Sequence, residues 1–188
     1  AGAPTIEEGD MELIFSTPLT SDADSIDTGT LPTGYKSYQI FFNLRSDRDT
    51  FHQGFEYVYF NNDQTVTNYQ LFTVSGGSSS TAVTSLAQSL PAAITSPSAS
   101  GDANFFGGSS MVVFNPESST AFKAFEVTSG SNSKASGTSS SERINSLRCG
   151  VWRNQSPITS IQIVETSTDS GGTAGLVAGS SVQIYGMK

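Results

Sequence analysis

Few residues in this sequence have side chains suited to acid–base or metal chemistry. His52 and Cys149 are each the only residue of their kind, so a single chain lacks the nitrogen and thiolate ligands that a zinc site requires. His52 lies in a polar stretch between predicted strands, and no Gly-x-Ser-x-Gly elbow supplies a nucleophile for it to activate. We therefore predict a solvated loop histidine and no cofactor.

Carboxylates are the remaining candidates for catalysis. A glycosidase uses two of them at the scissile glycosidic bond, and Glu56, Glu126 and Glu165 all fall on predicted strands. The alternative is that each is the outward residue of an alternating strand. The sequence does not show that any two of them face each other, so we keep hydrolysis only as an alternative.

Calcium needs only oxygen ligands, and Asp22, Asp24 and Asp27 place three carboxylates close together. An EF-hand loop has an oxygen ligand at position five and glycine at position six, where this chain has Ile26 and Asp27. We therefore interpret the segment as a solvated acidic turn and keep a calcium site as the weaker alternative.

The charges are unevenly distributed along the 188 residues. The formal net charge is −8, and the region after residue 27 is almost neutral, with ten acids and nine bases. A nucleic-acid-binding protein would need clustered Lys and Arg to displace counterions from phosphates, so we expect no nucleic-acid partner. No apolar run approaches the ~18 residues of a membrane span, so we expect no membrane partner. The acidic residues of the N-terminal stretch, which contains no base, are Glu7, Glu8, Asp10, Glu12, Asp22, Asp24 and Asp27.

Short alternating runs separated by turn residues predict an all-β chain. In the run 38–44, for example, Ile40, Phe42 and Leu44 share one face. No run has the helical period that a βαβ crossover would need. The sequence therefore predicts an antiparallel β-sandwich, a jelly roll of about eight strands. The predicted strands are 11–15, 38–44, 55–60, 69–74, 111–114, 121–128, 151–152, 158–164 and 181–185, with 55–60 covered on both faces.

Charge and composition divide the chain into two predicted parts. Residues 1–30 form an acidic N-terminal arm, and residues 31–188 form a single jelly-roll domain. Long Ser/Gly loops are predicted at 75–108 and 129–141, since these stretches are too polar to bury. A short helical turn is predicted at 83–90, inside the first loop.

Two segments resemble parts of tailed-bacteriophage structural proteins. I-T-S-I-Q-I at 158–163, followed after a Gly-rich turn by G-S-S-V-Q-I-Y-G at 179–186, is similar to the ending of many of these proteins. R-S-D at 45–47, F-N-N-D at 60–63 and N-Y at 68–69 resemble a second stretch of the same proteins. The matching positions are Arg45, Asp47, Asn61, Asp63, Asn68, Tyr69, Gly179, Ser180, Tyr185 and Gly186.

The resemblance implies a non-enzymatic jelly-roll component of a virion, commonly a trimer. Within that family the first hypothesis is a capsid decoration (cement) protein, made in the host cytoplasm and bound to the major capsid protein. In this hypothesis the arm docks on a basic shell surface through Glu7, Glu8, Asp10 and Glu12. A tail, fibre or baseplate appendage that contacts a tail protein or the host receptor is one alternative. A carbohydrate-binding β-sandwich module is the other.

Overall fold

Fourteen short strands account for nearly all the regular structure. The computed structural model describes residues 11–49, 53–77, 80–88, 90–132, 143–166, 168–169, 172–173 and 175–188 of the chain. None of the helical structure in these residues is long and apolar enough to cross a membrane. The strands are β1 (Met11–Pro18), β2 (Ser25–Asp27), β3 (Ser37–Leu44), β4 (Gln53–Phe60), β5 (Tyr69–Gly77), β6 (Ser80–Gln88), β7 (Ala92–Pro97), β8 (Gly107–Phe114), β9 (Lys123–Asn132), β10 (Arg143–Trp152), β11 (Ile161–Glu165), β12 (Thr168–Asp169), β13 (Gly172–Thr173) and β14 (Ser181–Met187), and a 3₁₀ turn, Val66–Asn68, precedes β5.

Twelve of the strands form two antiparallel sheets, and the short strands β12 and β13 pair only with each other. The larger sheet has eight strands in the order β1-β14-β3-β8-β9-β10-β5-β6, and the smaller has four in the order β2-β11-β4-β7. The pairs β1 with β14, β2 with β11, β3 with β8 and β4 with β7 join early strands to late ones in reverse order. The hairpins β5–β6 and β9–β10 extend the larger sheet beyond β8. The predicted antiparallel β-sandwich is confirmed, while the jelly-roll topology stays a prediction.

Every second residue of the core strands is buried, as the sequence predicts. In β3, Ile40, Phe42 and Leu44 are buried on one face, and in β14, Val182 and Ile184 are buried in the same way. Removing such side chains from water contributes roughly 1.5–3 kcal/mol each. The apolar faces of the strands therefore account for how the two sheets pack.

The core is aromatic at one end and polar at the other. At the aromatic end, the ring centroid of Phe60 lies 5.6 Å from that of Trp152, 5.9 Å from that of Phe125 and 6.2 Å from that of Tyr69. Phe60 is the last residue of β4, and the inward residue near the start of the same strand is Glu56, which is fully buried. The polar end therefore requires partners for buried charges.

The structure corrects the predicted N-terminal arm for residues 11–30. β1 pairs with β14 over its whole length, and β2 pairs with β11 and buries Ile26. Glu12 accepts a hydrogen bond from the Tyr35 hydroxyl at 3.0 Å and pairs with Lys188 at 3.1 Å. It therefore belongs to the sandwich. Residues 1–10, which include Glu7, Glu8 and Asp10, lie outside the described residues.

The structure also corrects the predicted loops at 75–108 and 129–141. The first contains β6 in place of the predicted helical turn, together with β7, whose six residues are all buried. β9 continues to Asn132 and buries Ser129 and Ser131. Small residues suit this packing, since a Cβ added to Gly107 of β8 would lie 2.8 Å from the Pro97 ring of β7.

The prediction that 55–60 is covered on both faces holds only for its second half. Phe55 is 38% exposed on the outer side of β4, whereas Tyr59 farther along the same side is 8% exposed. The smaller sheet therefore has an outer surface that is open to water near the start of β4.

Candidate functional site

Two of the three predicted acids meet inside the sandwich. Glu56 of β4 and Glu165 of β11 are opposite each other in register, and both side chains point into the core. Both are buried, with 0% and 3% of their surface exposed. The expectation of an outward residue is therefore wrong for both, whereas Glu126 on β9 does point outward and is exposed.

Close packing encloses this carboxyl pair. Ser96 Oγ donates a hydrogen bond to Glu56 Oε1, and the Phe55 amide donates to Glu165 Oε1 at 3.4 Å. A Cβ added to Gly54 would lie 2.5 Å from Glu165 Oε2, so the backbone itself covers the pair. A retaining glycosidase holds its carboxyls about 5–5.5 Å apart with the sugar between them. The geometry therefore argues against glycoside hydrolysis at this pair.

Burial raises the pKa of Glu56 well above its usual value, and the neighbouring Glu165 raises it further. Arg148, on β10 of the larger sheet, is the nearby cation. Its guanidinium donates to Ser129 Oγ at 2.7 Å and to the Ala93 carbonyl at 3.0 Å. Burial lowers the pKa of Arg148 to about 10, so it stays charged at neutral pH. This end of the core thus holds a carboxyl group whose neutral form is favoured by burial, near a fixed cation.

The acidic segment 22–27 does not assemble a calcium site. Asp22 Oδ1 accepts a hydrogen bond from the Ala178 amide at 2.8 Å, and Asp27 Oδ1 accepts one from the Gly29 amide at 2.8 Å. Asp24 is exposed. Nowhere in the described residues do three His, Cys, Asp or Glu side chains lie close enough to hold a metal ion.

The motif residues Asp63, Asn68 and Tyr69 stabilise the aromatic end of the core. Asp63 Oδ2 accepts hydrogen bonds from Trp152 Nε1 at 2.9 Å and from Asn68 Nδ2 at 2.8 Å. Burial acts to raise the pKa of Asp63, but these hydrogen bonds outweigh it and lower the pKa. The Tyr69 hydroxyl accepts a hydrogen bond from the Phe60 amide at 3.0 Å.

Asn61 forms the predicted turn after β4. Its φ is 53° and that of Asn62 is 54°, a left-handed conformation that asparagine tolerates. Asn61 Oδ1 accepts a hydrogen bond from the Thr159 amide at 2.7 Å. The turn leads from the smaller sheet to the larger one, so it does not close a hairpin.

The C-terminal motif has a similar structural role. Gly179 has a φ of 92°, and the Ser180 hydroxyl accepts a hydrogen bond from the Arg45 amide at 3.1 Å. A Cβ added to Gly186 would lie 2.3 Å from the Tyr35 ring, so this close approach requires glycine. These residues connect the last strand to the rest of the sandwich.

Arg45 and Asp47 connect loops to the sandwich. The Arg45 guanidinium donates to the carbonyl oxygen of Asp102 at 2.8 Å and to that of Phe105 at 3.0 Å. Asp47 Oδ1 accepts a hydrogen bond from the Gly175 amide at 2.6 Å. The predicted loop histidine, His52, lies outside the described residues.

The outer face of the eight-stranded sheet carries an apolar surface that the strand patterns did not predict. Of the ten exposed large apolar side chains in the part of the chain that the structure describes, seven lie there and are 36–50% exposed. An antiparallel sheet that faces water on one side normally has polar residues there. The seven residues, which we call the apolar face, are Met11, Leu13, Phe41, Phe72, Phe114, Leu147 and Met187.

The residues of the apolar face lie on six of the eight strands, with polar residues between them. The Phe41 ring packs edge-on against Tyr185, with ring centroids 5.9 Å apart. Glu126 is the only charged side chain that the structure describes on this face of the strands. One row of paired residues runs Gln183, Phe41, Ser110, Thr128, Leu147 and Val74. Several exposed large apolar side chains on one face of a protein are typical of protein-interaction sites.

No protein-family model matches the chain, and no curated protein matches it in sequence.

Proposed function

We propose that this chain is a non-enzymatic structural protein of a tailed-phage virion, a decoration protein that binds the major capsid protein on the outer surface of the head. The observation that carries the proposal is the apolar face. A decoration protein needs a broad contact surface, and this face offers apolar side chains on rigid strands. The motif resemblance supplies the class of partner.

The strand pairing supports the same proposal. We infer a jelly roll, because early strands pair with late ones in reverse order. Consecutive core strands alternate between the two sheets except β4 and β7, which pair with each other in the smaller sheet. In this interpretation β5–β6 and β9–β10 are insertions that widen one sheet. They contribute Phe72 and Leu147, so the insertions enlarge the apolar face.

The structure changes the proposed role of the N-terminal acids. Residues 11–27 contain β1 and β2, so deleting them would remove strands from both sheets. We restrict the proposed docking arm to residues 1–10, in which Glu7, Glu8 and Asp10 would meet a basic shell surface. The docking arm is therefore tested by deleting residues 1–10 alone and measuring how tightly the shortened chain binds to heads.

The double substitution Phe41→Ser and Leu147→Ser is expected to weaken binding to heads at least tenfold, because both side chains would be buried against the shell. Both are more than one-third exposed in the free chain, so folding should change little. Co-sedimentation with heads that lack the protein measures the affinity, and Phe55→Ser on the smaller sheet is the matched control. Wild-type affinity in the double variant would contradict the proposal.

Cryo-electron microscopy of the virion distinguishes the head from the tail, fibre or baseplate. Density for this chain on the outer shell is expected, with the apolar face turned towards the capsid or towards neighbouring copies. We also propose a homotrimer, which the mass in solution and the symmetry on the particle both test. Density on the tail alone would overturn the decoration role.

A further inference from the structure

A groove of about 680 Å³ lies where β9 begins and β10 ends, at the aromatic end of the core. Ser119 and Phe122 line one side, and residues 153–157 line the other. None of these residues belongs to the apolar face. The groove and the proposed docking surface therefore share no residue.

Buried hydrogen bonds connect the two sides of the groove. Lys123 is fully buried, and its Nζ donates to the carbonyl of Ala121 at 2.9 Å on one side and of Gln155 at 2.8 Å on the other. The same Nζ also donates to the carbonyls of Ser118 and Asn154. A site held in this way loses little conformational entropy when a ligand binds.

Phe122 gives the groove an aromatic surface, since it is 51% exposed and is the most exposed large apolar side chain that the structure describes. Among the described residues that line the groove, Phe122 is the only aromatic one, and most of the others are polar. An exposed ring amid hydrogen-bonding groups matches a ligand with an apolar face and a polar rim. A pyranose ring has that character.

Polar groups with remaining hydrogen-bonding capacity surround this ring. Asn154 Oδ1 accepts a hydrogen bond from the Ser156 amide at 2.9 Å, which orients the side chain and leaves Nδ2 without a partner among the described residues. Gln155 Nε2 donates to the Thr120 carbonyl at 3.0 Å, and this bond leaves Oε1 able to accept. Together they offer one donor and one acceptor to sugar hydroxyls.

Among the residues that the structure describes, Arg153 is the only charged one that lines the groove. One of its terminal nitrogens, Nη2, donates to the Thr67 carbonyl at 2.7 Å, which fixes the guanidinium and leaves its other N–H groups for a ligand. Its guanidinium places a positive charge at the groove in a chain of net charge −8. Arginine binds carboxylates through paired hydrogen bonds, so the charge favours an anionic ligand.

We propose that this groove binds a carboxylate-bearing saccharide, with a pyranose ring on Phe122 and the carboxylate on Arg153. The amides of Asn154 and Gln155 bind ring hydroxyls. The site would attach the protein to acidic glycans, whether or not it also binds a capsid.

A glycan array that carries uronic-acid and sialic-acid oligosaccharides beside their carboxyl-reduced counterparts tests the proposal. We expect selective binding to the carboxylate-bearing members. Phe122→Ala and Arg153→Gln should each weaken the best-bound glycan at least tenfold in a calorimetric titration. Phe55→Ala, an exposed phenylalanine on the other sheet, is the matched control and should bind like the wild type.

Three results would overturn the proposal. One is the absence of any selective glycan, and a second is equal binding of the neutral counterparts. The third is wild-type affinity in both groove variants. Thermal melting of each variant shows whether a loss of binding comes from unfolding, and binding that weakens as salt is added would agree with a guanidinium contact.

Discussion

Replacing Lys123 with Met is expected to lower the free energy of unfolding by about 3 kcal/mol. The variant would lose the hydrogen bonds to the Ala121 and Gln155 carbonyls, and a hydrogen bond from a charged donor contributes roughly 1.5 kcal/mol. Met preserves the length of the side chain but donates no hydrogen bond. The carbonyls of Ser118, Ala121, Asn154 and Gln155 would then lose their shared donor.

Thermal and urea unfolding measure this change, and a chain of this size should lose about 6–12 °C in Tm. Lys36→Met is the matched control, because Lys36 is exposed and its replacement should alter stability by less than about 0.5 kcal/mol. If the two variants were equally stable, the Lys123 hydrogen bonds would make no net contribution to the free energy of unfolding.

Replacing Glu56 with Gln is expected to stabilise the protein at neutral pH and to change how its stability depends on pH. Burial raises the pKa of Glu56 in the folded chain above its value of about 4.5 in the unfolded chain. The folded state therefore binds the proton more tightly. As pH rises from about 4.5 to the folded pKa, the wild type loses about 1.4 kcal/mol per pH unit.

The amide of Gln cannot ionise, so the variant should not show this loss. The difference between wild type and Glu56→Gln should therefore grow with pH above 4.5 and become constant above the folded pKa. Urea unfolding between pH 4 and pH 8 measures it, and Glu126→Gln, an exposed acid on β9, is the control. Parallel pH profiles for wild type and Glu56→Gln would refute the prediction.

The sequence predicts the strands with strong hydrophobic contrast and misses those with little. In β3, large apolar residues alternate with Gln39 and Asn43, so both the strand and its buried face are readable. β7 contains Ala, Thr and Ser, and it is buried because other strands surround it. That environment depends on residues distant in the chain, which a local pattern does not contain.

The candidate sites show the same limit. In F-E-Y-V-Y-F at 55–60 both faces of the strand look apolar, so the alternation of its side chains does not show whether Glu56 points inward. Its partners Glu165 and Ser96 come from other strands, and only the register brings them together. Lys123 did leave a signal, because in the predicted strand 121–128 it falls on the same face as the apolar residues Phe125 and Val127.

Arg148 also determines how the smaller sheet ends. β7 is an edge strand with β4 on one side only, and the Arg148 guanidinium bonds to its backbone at Ala93. Unpaired edge strands can add strands from other chains and begin aggregation. Arg148, from the opposite sheet, binds one backbone acceptor of this edge strand, all six residues of β7 are buried, and the opposite edge, β2, is only three residues long. The smaller sheet therefore offers little free edge to a strand from another chain.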